Sequence, residues 1–453
     1  MTTATRPAPG VPRDYQFPAV TRSTLANGLR IAVAPMARLP IVTVLAVVDA
    51  GAERDPRGQE GIASLTARAL TEGAGTLDAA ALTERFELLG SGLDAGSDWD
   101  DAVVHLSVTP ERIEAAMALL ADVLRAPLFA ERDIERLKSE RLSDLLQQQV
   151  EPRGLAADKF DAFLFADGSR YRLPEGGIRE SVSSLRTSDV RAFHARHYVP
   201  GATTLIFAGD ISVARATELA ERIFGTWTGG AAPARAVDDR TVGGQRRVRI
   251  VDKPDAPQSE LRVGHRGLAR PHPDYFPVVV MNALLGGLFS SRINLNLREK
   301  NAFTYGAHSG FDWRRGAGPF VVSTAVKTEV TAAATQEILK EIDAMRSALV
   351  SDEELSLATA YLDGVFPIRY ETTSSVASAI ASATVFGLAD DYFTTYRATV
   401  RAVTAADVRR AAETYLHPDE LLILAVGDAA AIRAPMAELG VGEPTVHPVG
   451  DDA

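Results

Sequence analysis

Apolar residues recur along this chain with two different periods. Leu25-Ala26-Asn27-Gly28-Leu29 sets an Asn-Gly pair between two short apolar runs, and both residues tolerate the positive φ of a tight turn, so a hairpin is predicted there. Ile41 to Val48 is almost continuously apolar, as in a buried strand. From Gly58 to Leu70 the period changes: Ile62, Leu65, Ala69 and Leu70 share a helical face, and Gly73 supplies the stop. Another helix carries Ile293 and Leu297 on one face and ends near Lys300, with an aromatic strand after it. Strands and helices keep mixing, with more hairpin-like than strict β-α-β spacing. The predicted class is α+β.

The pattern breaks most clearly at residues 228–245, TGGAAPARAVDDRTVGGQ, close to the midpoint of the 453 residues. A segment without periodicity, rich in Gly, Ala and Asp, reads as a linker. The expected organisation is a mobile segment at 1–15, an N-terminal domain at 16–228, a linker at 229–246, a C-terminal domain at 247–440 and a tail at 441–453. The halves are alike. Asp189, Val190, Arg191, Pro200, Gly209 and Asp210 recur as Asp407, Val408, Arg409, Pro418, Gly427 and Asp428, at a constant offset of 218. Each copy reads as a capped helix, a Pro turn, an apolar strand and a Gly-Asp turn, which points to an internal duplication.

Composition narrows the chemistry. Lys and Arg number 48 against 59 Asp and Glu, a net charge of −11, which argues against nucleic acid or an anionic membrane as the main partner. No run of 18 apolar residues occurs and Met1 to Pro12 has no apolar signal core, so a cytoplasmic protein without a membrane span is expected. Cysteine is absent, which removes disulfides, thiolate metal sites and thiol nucleophiles. Any metal site must use the eight histidines and carboxylates. Only His194 and His197 are close in sequence, and such a pair is more often packed or solvated than metal-bound. No GxSxG elbow, phosphate loop or strand-linked GxGxxG is present. Asp98, Asp100 and Asp101 around Trp99 read as a solvated acidic turn before the strand at Val103–Val108.

One stretch is more specific: Leu284 to Gly306, LLGGLFSSRINLNLREKNAFTYG. Arg298 and Tyr305 flank its helix–strand junction. A guanidinium fork and a phenol both suit a peptide carbonyl, although composition alone favours a structural ion pair and a half-buried ring.

Here the chain resembles the pitrilysin/insulinase-type zinc peptidases, in the branch of mitochondrial processing peptidase and its short bacterial relatives. Leu285-Gly286-Gly287, Ser291-Arg292, Leu297-Arg298-Glu299-Lys300 and Tyr305 match the family's C-terminal pattern. Thr24 to Arg30, Asp49-Ala50-Gly51 with Glu53-Arg54, Tyr198-Val199-Pro200 through Asp210, and Asp252-Lys253-Pro254 with Pro257-Gln258 match others, so the likeness runs from residue 20 to about 430. It implies two homologous domains, each a mostly antiparallel sheet flanked by helices, forming a clam-like half-chamber.

The departure matters as much. Active members carry H-x-x-E-H on the helix after the first strands; here Ser64 and Arg68 stand at the His positions and Ala67 at the base. The third ligand, counted back eight residues from Pro152, falls on Asp144. One carboxylate cannot replace three zinc ligands, so the chain is expected to hold no metal or other cofactor and to have no catalytic residue of its own. Arg298 and Tyr305 are retained, the pair that in this family faces the zinc site from a second domain and holds substrate. The resemblance therefore implies a substrate-positioning subunit of a heterodimer. Its HxxEH-bearing partner would supply zinc, and peptides or unfolded polypeptides would be the substrates, bound as an added β-strand. The alternative is a non-proteolytic scaffold or peptide-binding protein, like the core subunits of respiratory complexes that share the fold. A third reading makes it an autonomous metallopeptidase with His194 and His197 as rearranged ligands.

Overall fold

The computed structural model describes residues 14–231, 234 and 237–450. Two six-stranded sheets organise it. The first contains β1 (Thr21–Thr24), β2 (Arg30–Pro35), β3 (Val42–Val48), β4 (Asp94–Ser97), β5 (Ala102–Val108) and β6 (Thr203–Gly209), in the order β1-β2-β6-β3-β5-β4. The second contains β7 (Arg247–Asp252), β8 (Gln258–Arg266), β9 (Ala307–Phe311), β10 (Pro319–Lys327), β11 (Leu422–Gly427) and β12 (Pro444–Pro448), in the order β12-β7-β11-β8-β10-β9. Five of the six positions correspond, β2, β6, β3, β5 and β4 matching β7, β11, β8, β10 and β9; the outer edge differs, with β1 antiparallel to β2 and β12 parallel to β7. β2 runs parallel to β6 as β7 does to β11, and the three strands beyond them are antiparallel in both sheets. The fold is α+β and duplicated.

The repeated residues recur for local physical reasons. Helices Thr187–His197 and Ala405–Tyr415 begin and end 218 residues apart. Asp189 accepts from the Arg186 N–H at 2.9 Å and Asp407 from the Thr404 N–H at 3.0 Å, each supplying a partner where the first helical turn has none. A Cβ on Gly209 would lie 2.1 Å from the Ile41 carbonyl oxygen, and one on Gly427 2.5 Å from the Ser259 hydroxyl. Only glycine admits the neighbouring strand so closely at either turn.

The halves are joined by exchanged helices. We number α1 (Ile62–Ala69), α2 (Glu131–Val150), α3 (Pro152–Leu164), α4 (Asp352–Arg369) and α5 (Thr373–Phe386). α3, from the first half, packs on β8 and β11; α5, from the second, packs on the corresponding β3 and β6. Leu155, Phe160 and Phe163 are buried with Leu422, Leu424 and Val426 in a core that belongs to neither half alone. Thr43 and Thr373 hydroxyls meet at 2.8 Å at the other crossing.

Several expectations change. The segment read as a tail supplies β12, an edge strand parallel to β7. Residues 1–13 lie outside the described residues, but Tyr15 is anchored: its hydroxyl donates to the Tyr370 carbonyl at 2.8 Å, and Phe17 stacks on Phe393. The acidic turn is solvated only at Asp98; Asp100 and Asp101 are buried. Asp100 is 3% exposed, and its carboxylate accepts the Arg315 N–H at 3.1 Å from the β9–β10 hairpin. One helical run, Tyr275–Lys300, is long and apolar enough to cross a membrane, its mean hydropathy staying high although Asn282 and Ser290-Ser291 interrupt the apolar count. In the fold half of its most apolar stretch is buried, and the run breaks at residues 288–291.

Candidate functional site

α1 is fixed at its first turn. Asp55 accepts from the Gly61 and Ala63 N–H groups at 2.7 and 3.0 Å and is held by Arg170 at 2.8 Å, so a buried carboxylate faces the positive helix end. Gly61 has φ +96°, and a Cβ there would meet the Gly176 carbonyl oxygen at 2.6 Å. The helix is thereby locked against the 176–177 turn. Ala67 is buried in the core, whereas Ser64 and Arg68 line a depression of about 390 Å³ with Asp144 of α2. Positions 80 residues apart in sequence, Ser64 and Asp144, thus line one depression.

Their chemistry does not fit zinc. Arg68 pairs with Glu140 at 3.1 Å, and Arg141, also lining the depression, donates to the Gly176 carbonyl at 3.0 Å. A hydroxyl and a guanidinium stand in place of two neutral donors, and Arg141 adds a second cation beside Asp144, so the set lacks the ligands that zinc needs. Asp161 and Glu175 share the depression, and burial pushes both carboxyls up to about 7. Among the described residues no group of three or more His, Asp or Glu is arranged to hold a metal. His194 and His197 do not converge on a ligand position: His194 Nε2 lies 3.1 Å from the Leu124 carbonyl, and the His197 ring packs on Phe193. Burial lowers both to about 4, so they are neutral packing residues.

Arg298 and Tyr305 lie at a separate groove. Asn294 organises their surroundings: its side-chain amide donates to the Phe289 carbonyl at 2.6 Å, and its oxygen accepts from the Ala307 N–H at 3.0 Å. The glycine-rich turn is thereby stapled to the start of β9. Phe303 N–H donates to the Leu297 carbonyl at 2.8 Å, and Ala302 adopts φ +54°. This reversal projects Tyr305 into solvent, 95% exposed rather than half buried. Tyr305 and Phe289 line a groove of about 550 Å³. The Arg298 guanidinium stands 4.6 Å over the Phe289 ring, with Nε 3.4 Å from Glu299, so it belongs to the rim. Arg153, Glu260, Arg262 and His308 also line the groove. Sequence reasoning missed these: Arg153 arrives on α3 from the other half, and no local pattern announces that crossing. Asn294, an amide set between Ile293 and Leu295, was a readable signal.

Residues 30–166 match the family model described as insulinase (peptidase family M16), and residues 184–362 match the peptidase M16 inactive domain. The chain belongs to peptidase family M16. Among related proteins, an uncharacterized zinc protease of Mycobacterium leprae is 25% identical over 364 residues, 80% of this chain and 81% of the relative. One from Streptomyces coelicolor is 23% identical over 375 residues, 82% and 81% of the two chains. Among solved structures, the M16 inactive domain from Pseudomonas fluorescens superposes with a TM-score of 0.85 at 24% identity, covering 90% of this chain and 98% of that one. A chain in a structure of complex III2 from Candida albicans gives 0.77 at 17% identity, covering 93% and 100%. These likenesses establish the M16 fold. Within it, this member carries no H-x-x-E-H anywhere in its 453 residues.

Proposed function

We propose that this M16 chain is the substrate-positioning subunit of a two-chain zinc peptidase that acts on peptides or unfolded polypeptides. One observation carries the reading. Ser64, Arg68 and Asp144 meet in one depression without a zinc-binding set, while Tyr305 is fully presented at an open groove with Arg298 on its rim. A homologous HxxEH subunit would supply the metal, which polarises the scissile carbonyl and activates water. Within this chain, Arg298 offers fixed N–H donors and Tyr305 one hydroxyl, so together they can orient a peptide carbonyl without entering the bond-breaking step.

The test is reconstitution. The chain is combined with an HxxEH homologue encoded beside it, and cleavage of a quenched fluorescent peptide is followed. Activity is expected only in the mixture, falling about 100-fold with Arg298→Ala, by analogy with lost orienting groups, and less with Tyr305→Phe. Zinc-dependent hydrolysis by the isolated chain would overturn the proposal. A mixture unaffected by either substitution would assign the fold a scaffolding role.

A further inference from the structure

The outward face of α4 is unusual for a solvated helix. From Leu357 to Ile368 its exposed positions are Leu357, Ala360, Tyr361, Gly364 and Ile368, with no charge among them. Leu357, Tyr361 and Ile368 are 46%, 53% and 71% exposed. Their spacing of four, seven and eleven residues keeps them on one stripe, and at 1.5 Å per residue the stripe is roughly 16 Å long.

The duplication supplies an internal control. Asp352 and Thr373, which open α4 and α5, each lie 221 residues after Glu131 and Pro152, which open α2 and α3. The helix pair is therefore the same unit in both halves, shifted by three residues from the offset of 218 seen farther along the chain. In that register Leu357, Ala360, Tyr361, Gly364 and Ile368 correspond to Arg136, Ser139, Glu140, Ser143 and Gln147 of α2. The same face of the corresponding helix is polar in the first half, so the architecture does not require it to be apolar. The helix that carries the stripe also packs beside the Arg298/Tyr305 groove. Arg292 pairs with Glu354 of α4 at 2.8 Å. α4 packs against residues 283–287, whose Gly286 and Gly287 line the groove. Phe289 and Leu295, on the connecting chain, are exposed as well.

Resting on the substrate-positioning role, we propose that this stripe is a secondary binding surface for apolar runs of an extended polypeptide held at the Arg298/Tyr305 groove. The preferred substrates are then unfolded chains with a hydrophobic block beside the bond to be positioned. About five residues of extended chain span roughly 16 Å, enough for alternate side chains to reach Leu357, Tyr361 and Ile368. Continuity with the groove favours a polypeptide over a second copy of this chain.

The test uses the full chain and two fluorescein-labelled 20-residue peptides. They are identical in a Gly/Ser/Gln background except for a central Leu-Val-Phe-Ala-Leu or Ser-Thr-Gln-Gly-Ser block. Fluorescence anisotropy should give about tenfold tighter binding of the apolar peptide, in line with partial burial of two or three large side chains. The Leu357→Ser/Tyr361→Ser/Ile368→Ser variant should lose that preference while keeping its melting temperature and binding the polar peptide as before. Arg298→Ala should weaken both peptides equally. A preference that survives the triple substitution, or no binding of either peptide, overturns the proposal. So does a triple variant that only dissociates a dimer on light scattering, which would make the stripe an interface between copies. If Arg298→Ala changes nothing while the triple variant abolishes the preference, the stripe stands and the role of the Arg/Tyr pair falls.

Discussion

Arg315, at the tip of the β9–β10 hairpin, reaches across the duplication and donates Nη1 to Asp49 Oδ1 at 2.9 Å. The same side chain donates Nε to the Val385 carbonyl at 2.6 Å, and its backbone N–H meets Asp100. Beside it Arg314 lies over the Trp99 and Tyr171 rings at 4.2 and 4.5 Å. The second half thus inserts two cations into an acidic and aromatic seat in the first. Removing one member of such a mostly buried network leaves carboxylates without their counter-charge, at a cost of about 3 kcal/mol. Arg315→Ala should lower the melting temperature by several degrees and open the segment at residues 229–246 to limited proteolysis. An unchanged digestion pattern would contradict the seat's role in joining the halves.

The same seat sets an inverted pH dependence. Burial, with neighbouring carboxylates adding to it, pushes Glu53 up to about 7 and Asp101 to about 8; burial also raises Asp100 to about 6. These values exceed the unfolded ones, near 4, so between about pH 4 and pH 8 the folded state holds more protons. Stability should therefore rise as pH falls from 8 toward 5. His194 and His197, lowered by burial, oppose this between about pH 6.5 and 4, and at lower pH so do Asp274 and Glu354. Hydrogen bonds from Arg410 and Arg292 respectively hold them at about 2, and their stabilisation is lost as pH falls from about 4 through 2. A melting-temperature profile should peak between about pH 4.5 and 6. A monotonic decline from pH 8 downward would show that the buried carboxylates do not govern stability in that range.

How much of this was legible in the sequence depended on range. The capping Asp189 and Asp407 and the crowded Gly209 and Gly427 are local signals, and they reveal the duplication through a fixed offset. β12 was not legible: Pro444 and Pro448 discourage a strand, and it is tolerated only at an edge, paired in parallel with β7 some 200 residues earlier in the chain. The burial of Asp100 was equally hidden, because its partner Arg315 lies 215 positions away. The same holds at the candidate site. That Ser64, Arg68 and Asp144 meet follows from the family pattern and from no periodicity, since helix–helix contacts at that separation leave no local mark. Tyr305 reads as half buried in the sequence because the turn at Ala302, which swings it outward, contains no glycine at the positive-φ position.

The convergence of the degenerate positions can be tested by restoring chemistry. In Ser64→His/Ala67→Glu/Arg68→His, two imidazoles on α1 would face Asp144 across the depression, and one unwanted cation would be gone. Three protein ligands are then in reach of one point. The variant should take up about one equivalent of zinc in a chelator-competition titration. Adding Asp144→Asn should remove that uptake, and the unmodified chain should show none. Zinc retained after Asp144→Asn would mean that the third ligand lies elsewhere.

Asn294 offers a separate handle on the groove, because its single amide both donates to the Phe289 carbonyl and accepts from the Ala307 N–H. The residue is buried, so Asn294→Ala would strand two backbone groups and cost about 2 kcal/mol. Since the lost bonds tie the glycine-rich turn to β9, the damage should concentrate in residues 288–306 and leave the Arg315 seat intact. Hydrogen exchange should quicken at Ala307, and trypsin should cut after Arg298 or Lys300 well before residues 229–246 yield. Tyr305 would then sample many orientations. If it positions a carbonyl, peptide cleavage by the reconstituted pair should lose turnover more than substrate affinity, because orientation is spent in the transition state. Faster exchange with undiminished turnover would separate the loop's rigidity from its function and remove Tyr305 from the positioning role.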